Sequence, residues 1–228
     1  MEVEIWSDIV CPWCYVGKRR FEAALAGFEH RDAVNVTWRS FELDPTAPRE
    51  RAEDGATHLA NKYGGTREQA LEMQRSMTEA AAADGLGFRF DIARSGNTFD
   101  AHRLVHLGAA HGVQDAVKER FMRAYLTEGE PIGDPGALAL LAADAGLPED
   151  EVREVLVTER FAEEVREDER TAQGLGIHAV PFFVVDRKFG ASGAHPPAAL
   201  AQLLDRAWQE HTPLATVAAG EACGPDGC

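Results

Sequence analysis

The chain has 228 residues, 45% of them hydrophobic, and 38 acidic against 23 basic side chains give a formal net charge of −15. That length is enough to bury a sizeable core, as one elaborated domain or two small ones. An acidic surface repels phosphate backbones and anionic lipid, which argues against nucleic acid and membrane surfaces as partners. No apolar run approaches a membrane span. The opening MEVEIWSDIV lacks the basic and apolar regions of a signal peptide, so a cytoplasmic location is expected. Most thiols there stay reduced, so a paired cysteine motif is expected to be catalytic or metal-binding rather than a permanent staple.

Val3 and Ile5 alternate with Glu2 and Glu4, the period of a strand with one face buried. A helix is predicted to open at Cys11-Pro12-Trp13-Cys14, where Pro12 suits the first turn, and to continue through Phe21, Leu25 and Phe28. On it, Lys18, Arg19 and Arg20 are expected to form a solvated face. Val34, Val36 and Trp38 alternate with Asn35 and Thr37 as a second strand. Residues 44–56, with Pro45 and Pro48, mark a boundary.

The following hundred residues read as helical throughout. Thr66 and Gln69 have capping-box spacing, and Ala70, Met73, Met77 and Ala80 form a stripe. Ala101, Leu104, Val105 and Gly108 repeat at helical spacing, as do Val117, Phe121 and Ala124. Asp134-Pro135 caps and opens a helix lined by Leu138, Leu141, Ala142 and Ala145. A charged helix is predicted over 159–174. Pro181-Phe182-Phe183-Val184-Val185 is apolar on both faces, as in a central strand, and a weaker strand follows at 188–191. Pro196-Pro197 opens a last helix through Leu200, Leu203, Leu204 and Ala207. A Gly- and Ala-rich tail ends in CGPDGC.

The order βαβ, helical block, αββα predicts a compact α/β domain carrying a helical excursion. On this reading residues 1–45 and 159–211 are its two parts, 46–158 the excursion and 212–228 the tail.

Two cysteines three apart, directly after a strand and opening a helix, suggest redox chemistry. The thiolate is the attacking species, and a helix N-terminus supplies free N–H groups and partial positive charge. Cys11 would be the exposed nucleophile and Cys14, one turn later, the resolving thiol. A zinc site needs further ligands that the spacing does not supply. His102 and His106 fall one turn apart without the glutamate of a metalloprotease helix, and are expected to be helix-surface or inter-domain residues. No metal site is expected. In GIHAVPFF, Pro181 stands where a central strand begins. It is either a first-residue strand proline or a cis proline, the latter leaving the Val180 backbone free to pair with an extended peptide. Asp8 is either a capping residue or a carboxylate that relays protons to the resolving thiol.

SDIVCPWCYVGKRRFE, FELDP, NTFDAHRLVHLG and GIHAVPFFVV together resemble the thioredoxin superfamily. More narrowly they resemble its DsbA-like proteins, a thioredoxin fold with an inserted all-helical domain, and most closely the FrnE-like branch, named after a member linked to polyketide antibiotic formation. The resemblance implies Cys11 as nucleophile, Cys14 as resolving cysteine and Pro181 as the cis proline facing them. It implies thiol–disulfide oxidoreductase or isomerase activity on protein substrates, with a cellular reductant and no resident cofactor. Glutathione is a candidate co-substrate, and the chain would be a monomer or homodimer. DsbA itself carries a histidine inside its motif. Trp13 brings no charge there, so a potential nearer about −270 mV than about −120 mV is expected.

Cys223 and Cys228 enclose a turn-forming Gly-Pro-Asp-Gly and can pair, but a small ring at a chain end stabilises little. They are read as a second redox couple that exchanges electrons with the first or docks as a pseudo-substrate; the alternative is a tail oxidised adventitiously. The rival functions are a glutathione-dependent enzyme resembling the kappa-class transferases or 2-hydroxychromene-2-carboxylate isomerases, and a chaperone-like binding module. The former use a serine where Cys11 stands.

Overall fold

The computed structural model describes residues 1–211. Cys223 and Cys228 lie outside them. Among the described residues, four strands form a sheet of order β2-β1-β3-β4. Strand β1 (Glu2–Ser7) runs parallel to β2 (Asn35–Ser40) and antiparallel to β3 (Phe182–Val185), which pairs antiparallel with β4 (Phe189–Ser192). Helix α1 (Pro12–Ala26) makes the crossover from β1 to β2. Between β2 and β3 come α2 (Gly55–Tyr63), α3 (Arg67–Ala82), α4 (Phe99–Ala110), α5 (Gln114–Arg123), α6 (Pro135–Asp144), α7 (Glu149–Val157) and α8 (Ala162–Gly174). Helix α9 (Pro197–Gln209) closes the domain. The α/β class with a helical insertion is the one expected.

Helices cover both faces of the sheet. Val3 and Ile5 face α1 and α9 and share a core with Phe21, Ala24, Phe183, Leu200 and Leu204. That core continues without a break into α4–α7 through Leu104, Phe121, Leu138 and Val152. Trp6 and Val184 lie on the other face with Ala172 of α8 and Ile177. Each large side chain buried in this way contributes about 1.5–3 kcal/mol. Strand β1 is therefore buried on both faces, not on one. Glu4 is buried too. Its carboxylate accepts from Arg39 Nη2 at 2.7 Å and Arg187 Nε at 2.9 Å, and these guanidiniums outweigh burial to hold its pKa below the usual carboxylate value.

Local signals hold at the helix starts. Thr66 and Gln69 make a reciprocal capping box, while Asp54 and Asp134 cap α2 and α6. The helical block is interrupted, however. Residues 83–98 are irregular, and 124–128 form a π turn after α5. The irregular stretch is tied into place by Arg51 N–H to Ser95 O, Asn97 N–H to Pro48 O and Arg89 N–H to Leu126 O. Gly96 and Gly133 close on the Arg49 carbonyl, where an added Cβ would sit 1.9 and 1.8 Å from its oxygen.

Lys18, Arg19 and Arg20 do not form a solvated face. The Lys18 side chain is 1% exposed and pairs with Glu22, Asp115 and Glu119. Arg19 also binds Glu119, and Arg20 joins Asp84 and the Ala194 carbonyl. These basic residues clamp α1 to the helical block and to the loop after β4.

Helix α1 also presses on the segment leading into β3. A Cβ at Gly17 would lie 2.8 Å from Pro181 Cγ. Gly17→Ala is expected to destabilise the fold by about 1–3 kcal/mol, read from the urea midpoint. Unchanged stability would show that the two segments separate freely.

Candidate active site

The site forms where β1 ends. Cys11 is the N-cap residue of α1, in extended conformation, and Pro12 occupies the first helical position. Cys14 follows within the first turn, its N–H donating to the Cys11 carbonyl at 3.1 Å. Both are free thiols. Cys14 is wholly buried and Cys11 is 6% exposed, and Cys11 lines a cleft. Trp13, between them, projects outward at 41% exposure.

The Val180–Pro181 peptide bond is cis. The Val180 carbonyl lies 3.8 Å from Cys11 Sγ, which donates to it. Pro181 accordingly precedes the strand rather than forming part of it.

A cleft of about 460 Å³ opens beside the pair. It is lined by Val10, Cys11 and Trp13 beside the cysteine pair, by Leu59, Met73 and Met77 of α2 and α3, by Phe90 and Tyr125, by His178 to Val180, and by Leu43 and Arg51 from the segment after β2. Most of this lining is apolar, and it comes from segments far apart in the chain.

Charged groups lie behind the pair. Asp8 is 1% exposed, and its backbone carbonyl accepts from Cys11 N–H at 3.4 Å. Its side chain accepts from Leu43 N–H at 2.7 Å and meets His102 Nε2 at 3.3 Å. Burial pushes the Asp8 pKa up, but His102, Leu43 and Lys118 outweigh it and hold the carboxyl below the usual range. His102 is fully buried, and burial drives its pKa down. A neutral imidazole donating from Nε2 to the Asp8 carboxylate satisfies both directions. Of the two expected roles, His102 thus takes the inter-domain one: it joins the insertion to Asp8 from a fully buried position rather than lying on the helix surface. His106 meets Asp168 Oδ2 at 3.1 Å. Among the described residues, no cluster of three metal-ligating side chains occurs.

Sequence reasoning missed Lys118. It is 0% exposed, and Nζ donates to the Ser7 carbonyl at 3.1 Å. Its position was visible in retrospect: with Phe121 and Met122 it sits at i, i+3 and i+4, a charge on the apolar stripe of α5. Burial lowers its pKa from 10.5 to about 8, against the opposing pull of Cys14, Asp8, Cys11 and Asp168. The Cys14 thiol moves the other way. Burial, followed by the hydrogen bond it shares with Cys11, pushes its pKa well up.

Because the folded-state pKa of Lys118 is depressed, the unfolded chain binds more protons between about pH 8 and 10.5. Stability from this group therefore rises with pH through that window, and below it the buried charge costs roughly 3 kcal/mol. Lys118→Met is expected to raise the unfolding free energy at pH 7 by up to that amount, roughly 3 kcal/mol, with the gain disappearing above the window. Urea titrations at neutral and high pH check this; a loss of stability at pH 7 would contradict it.

Comparison with known proteins agrees with this architecture. A family model for the DSBA-like thioredoxin domain matches residues 2–205. A probable DsbA oxidoreductase from Streptomyces coelicolor is 49% identical, covers 100% of this chain and 98% of its own, and superposes with a TM-score of 0.91. The cytosolic disulfide reductase DsbM from Pseudomonas aeruginosa, in its structure with GSH, is 19% identical, with 92% of this chain and 98% of that one covered and a TM-score of 0.61. At that identity the likeness is one of fold. The uncharacterized protein YwbO of Bacillus subtilis (strain 168) is 27% identical over 187 residues, 81% of this chain and 86% of that protein. With the match running through both parts of the sheet and everything between them, the chain belongs to the DSBA-like thioredoxin domain family.

Proposed function

We propose that this protein is a cytoplasmic thiol–disulfide oxidoreductase or isomerase of the FrnE-like branch, acting on protein disulfides with Cys11 as nucleophile and Cys14 as resolving thiol. One observation carries the reading: two free thiols lie at the start of one helix, one lining an apolar cleft and the other fully buried. The description of the Streptomyces relative as a probable DsbA oxidoreductase supports it across the whole chain.

In the reducing direction, Cys11 Sγ attacks one sulfur of a substrate disulfide. The substrate S–S bond breaks, one substrate thiolate leaves, and a mixed disulfide forms on Cys11. Cys14 then gives up its proton and attacks Cys11 Sγ. The second substrate sulfur leaves and is protonated. Two electrons pass from the pair to the substrate; the reverse sequence oxidises a dithiol. The burial that keeps Cys14 protonated at rest supports this division of labour. The apolar cleft and the Val180 carbonyl at its edge suit an extended peptide with bulky side chains. Asp8 serves as the proton relay for the resolving thiol. Glutathione or another cellular dithiol or thiol resets the pair, and Cys223–Cys228 acts as a second couple. A cysteine at position 11 favours this reading over the serine-dependent glutathione isomerases.

Cys11→Ser is expected to reduce insulin-disulfide reduction to background, and Cys14→Ser to accumulate a mixed disulfide visible by mass spectrometry. Full activity in the Cys11→Ser variant would instead indicate a thiol-independent binding module. In a glutathione redox titration of the Cys223→Ser/Cys228→Ser chain, a single two-electron transition is expected nearer about −270 mV than about −120 mV. A midpoint above about −150 mV would overturn the assignment of a weak oxidant.

A further inference from the structure

We propose that Lys118, supplied by the inserted helix α5, is the positioning cation of the redox pair, stabilising the Cys14 thiolate as that sulfur resolves the mixed disulfide. This inference rests on the redox reading above.

The argument begins with an unusual burial. A lysine that loses all contact with water is normally found beside a carboxylate. Among the described residues, the hydrogen-bond acceptor of Lys118 is a neutral one, the Ser7 carbonyl, and no carboxylate lies within ion-pair distance. The Trp38 ring lies 5.9 Å from Nζ. One acceptor leaves two of the three ammonium N–H groups uncommitted.

The surroundings indicate which group its charge acts on. Ser7 leads directly into Asp8, whose carbonyl holds the Cys11 N–H. Met122, one turn further along α5, packs in the same cluster as Cys11 and Cys14. The titratable groups around Lys118 are Cys14, Cys11, Asp8, Asp168 and His102. Asp8 is already bound by Leu43 N–H and His102. Asp168 is bound by Arg39, Ser40 N–H and His106. The two sulfurs are left as the nearby groups without a charged partner: the Cys14 thiolate is favoured otherwise only by a backbone hydrogen bond at Asp8, and Lys118 adds the one positive charge. After burial itself, the Cys14 thiolate acts most strongly on the Lys118 proton, ahead of Asp8 and Cys11.

The step that benefits is resolution. The Cys14 S–H bond breaks and its proton passes by way of the Asp8 carboxylate, the relay proposed above, to solvent. The Cys14 thiolate attacks Cys11 Sγ, and the Cys11–substrate S–S bond breaks. The substrate sulfur departs with the bonding pair and takes up a proton. Cys11 and Cys14 end oxidised by two electrons and the substrate ends reduced. Lys118 forms no bond in this sequence. It lowers the energy of the only charged form of Cys14, which burial alone would make scarce.

The test uses the full chain with Cys223→Ser and Cys228→Ser, fully reduced and mixed with one equivalent of 5,5′-dithiobis(2-nitrobenzoate) in a stopped-flow spectrometer. The first release of thionitrobenzoate reports attack by Cys11, and the second reports resolution by Cys14. Lys118→Met is expected to slow the second phase about tenfold or more and to move its rise to higher pH, with a much smaller effect on the first. Lys118→Arg, which keeps the charge, is expected to recover most of the rate. Equal second phases in all three proteins would overturn the proposal, as would equal losses in the Met and Arg variants, which would reveal a packing role. No second release from the protein with Lys118 intact would overturn the redox reading itself, and this inference with it.

Discussion

Helix α1 approaches the entrance of β3 as closely as it does because position 17 carries no side chain. A methyl group there would press into the ring of Pro181, three residues past the second cysteine on the helix side. The same approach sets the distance from Cys11 Sγ to the Val180 carbonyl and forms the edge of the cleft. Two segments that share no local sequence thereby become one site. The basic residues after Gly17 reinforce the arrangement. Lys18 and Arg19 bind acidic residues of α5, and Arg20 binds Asp84 and the loop following β4. The helix that bears the cysteines is thus held from the sheet side and from the insertion at once.

The interior treats charge in two ways. Away from the cysteines, buried charges are matched. Glu4 meets Arg39 and Arg187, Asp168 meets Arg39 and His106, and Lys18 meets three carboxylates. Such pairing offsets the desolvation that burial imposes. Behind the cysteines the matching is incomplete. Lys118 has a carbonyl and an aromatic ring for company. The imbalance sits where the reaction creates and consumes a negative charge, which is where a fixed positive charge has most to act on.

Much of the frame was legible in the chain because its causes are local. Alternation marked β1 and β2, Thr66 and Gln69 marked the start of α3, and Asp134-Pro135 marked α6. The cysteine pair was legible for the same reason: strand, proline and helix are neighbours in sequence. What stayed hidden depends on partners far along the chain. Glu4 reads as an exposed strand residue until Arg187 is seen beside it, 183 residues away. His102 reads equally as a helix-surface or an inter-domain residue until Asp8 is found 94 residues earlier. Stretch 83–98 reads as helix because its neighbours are helical, whereas hydrogen bonds tie it to segments outside it. Lys118 was the near miss, since a lysine on an apolar stripe is a local anomaly.

The pairing of β1 with β3 has a consequence for how the protein is made. A ribosome delivers Cys11 and Cys14 before β3, with Val180 standing 169 positions after Cys11. Until β3 has emerged, β1 lacks its antiparallel neighbour and the cleft lacks its edge. Folding of this site therefore waits on contacts distant along the chain, which are slow to form.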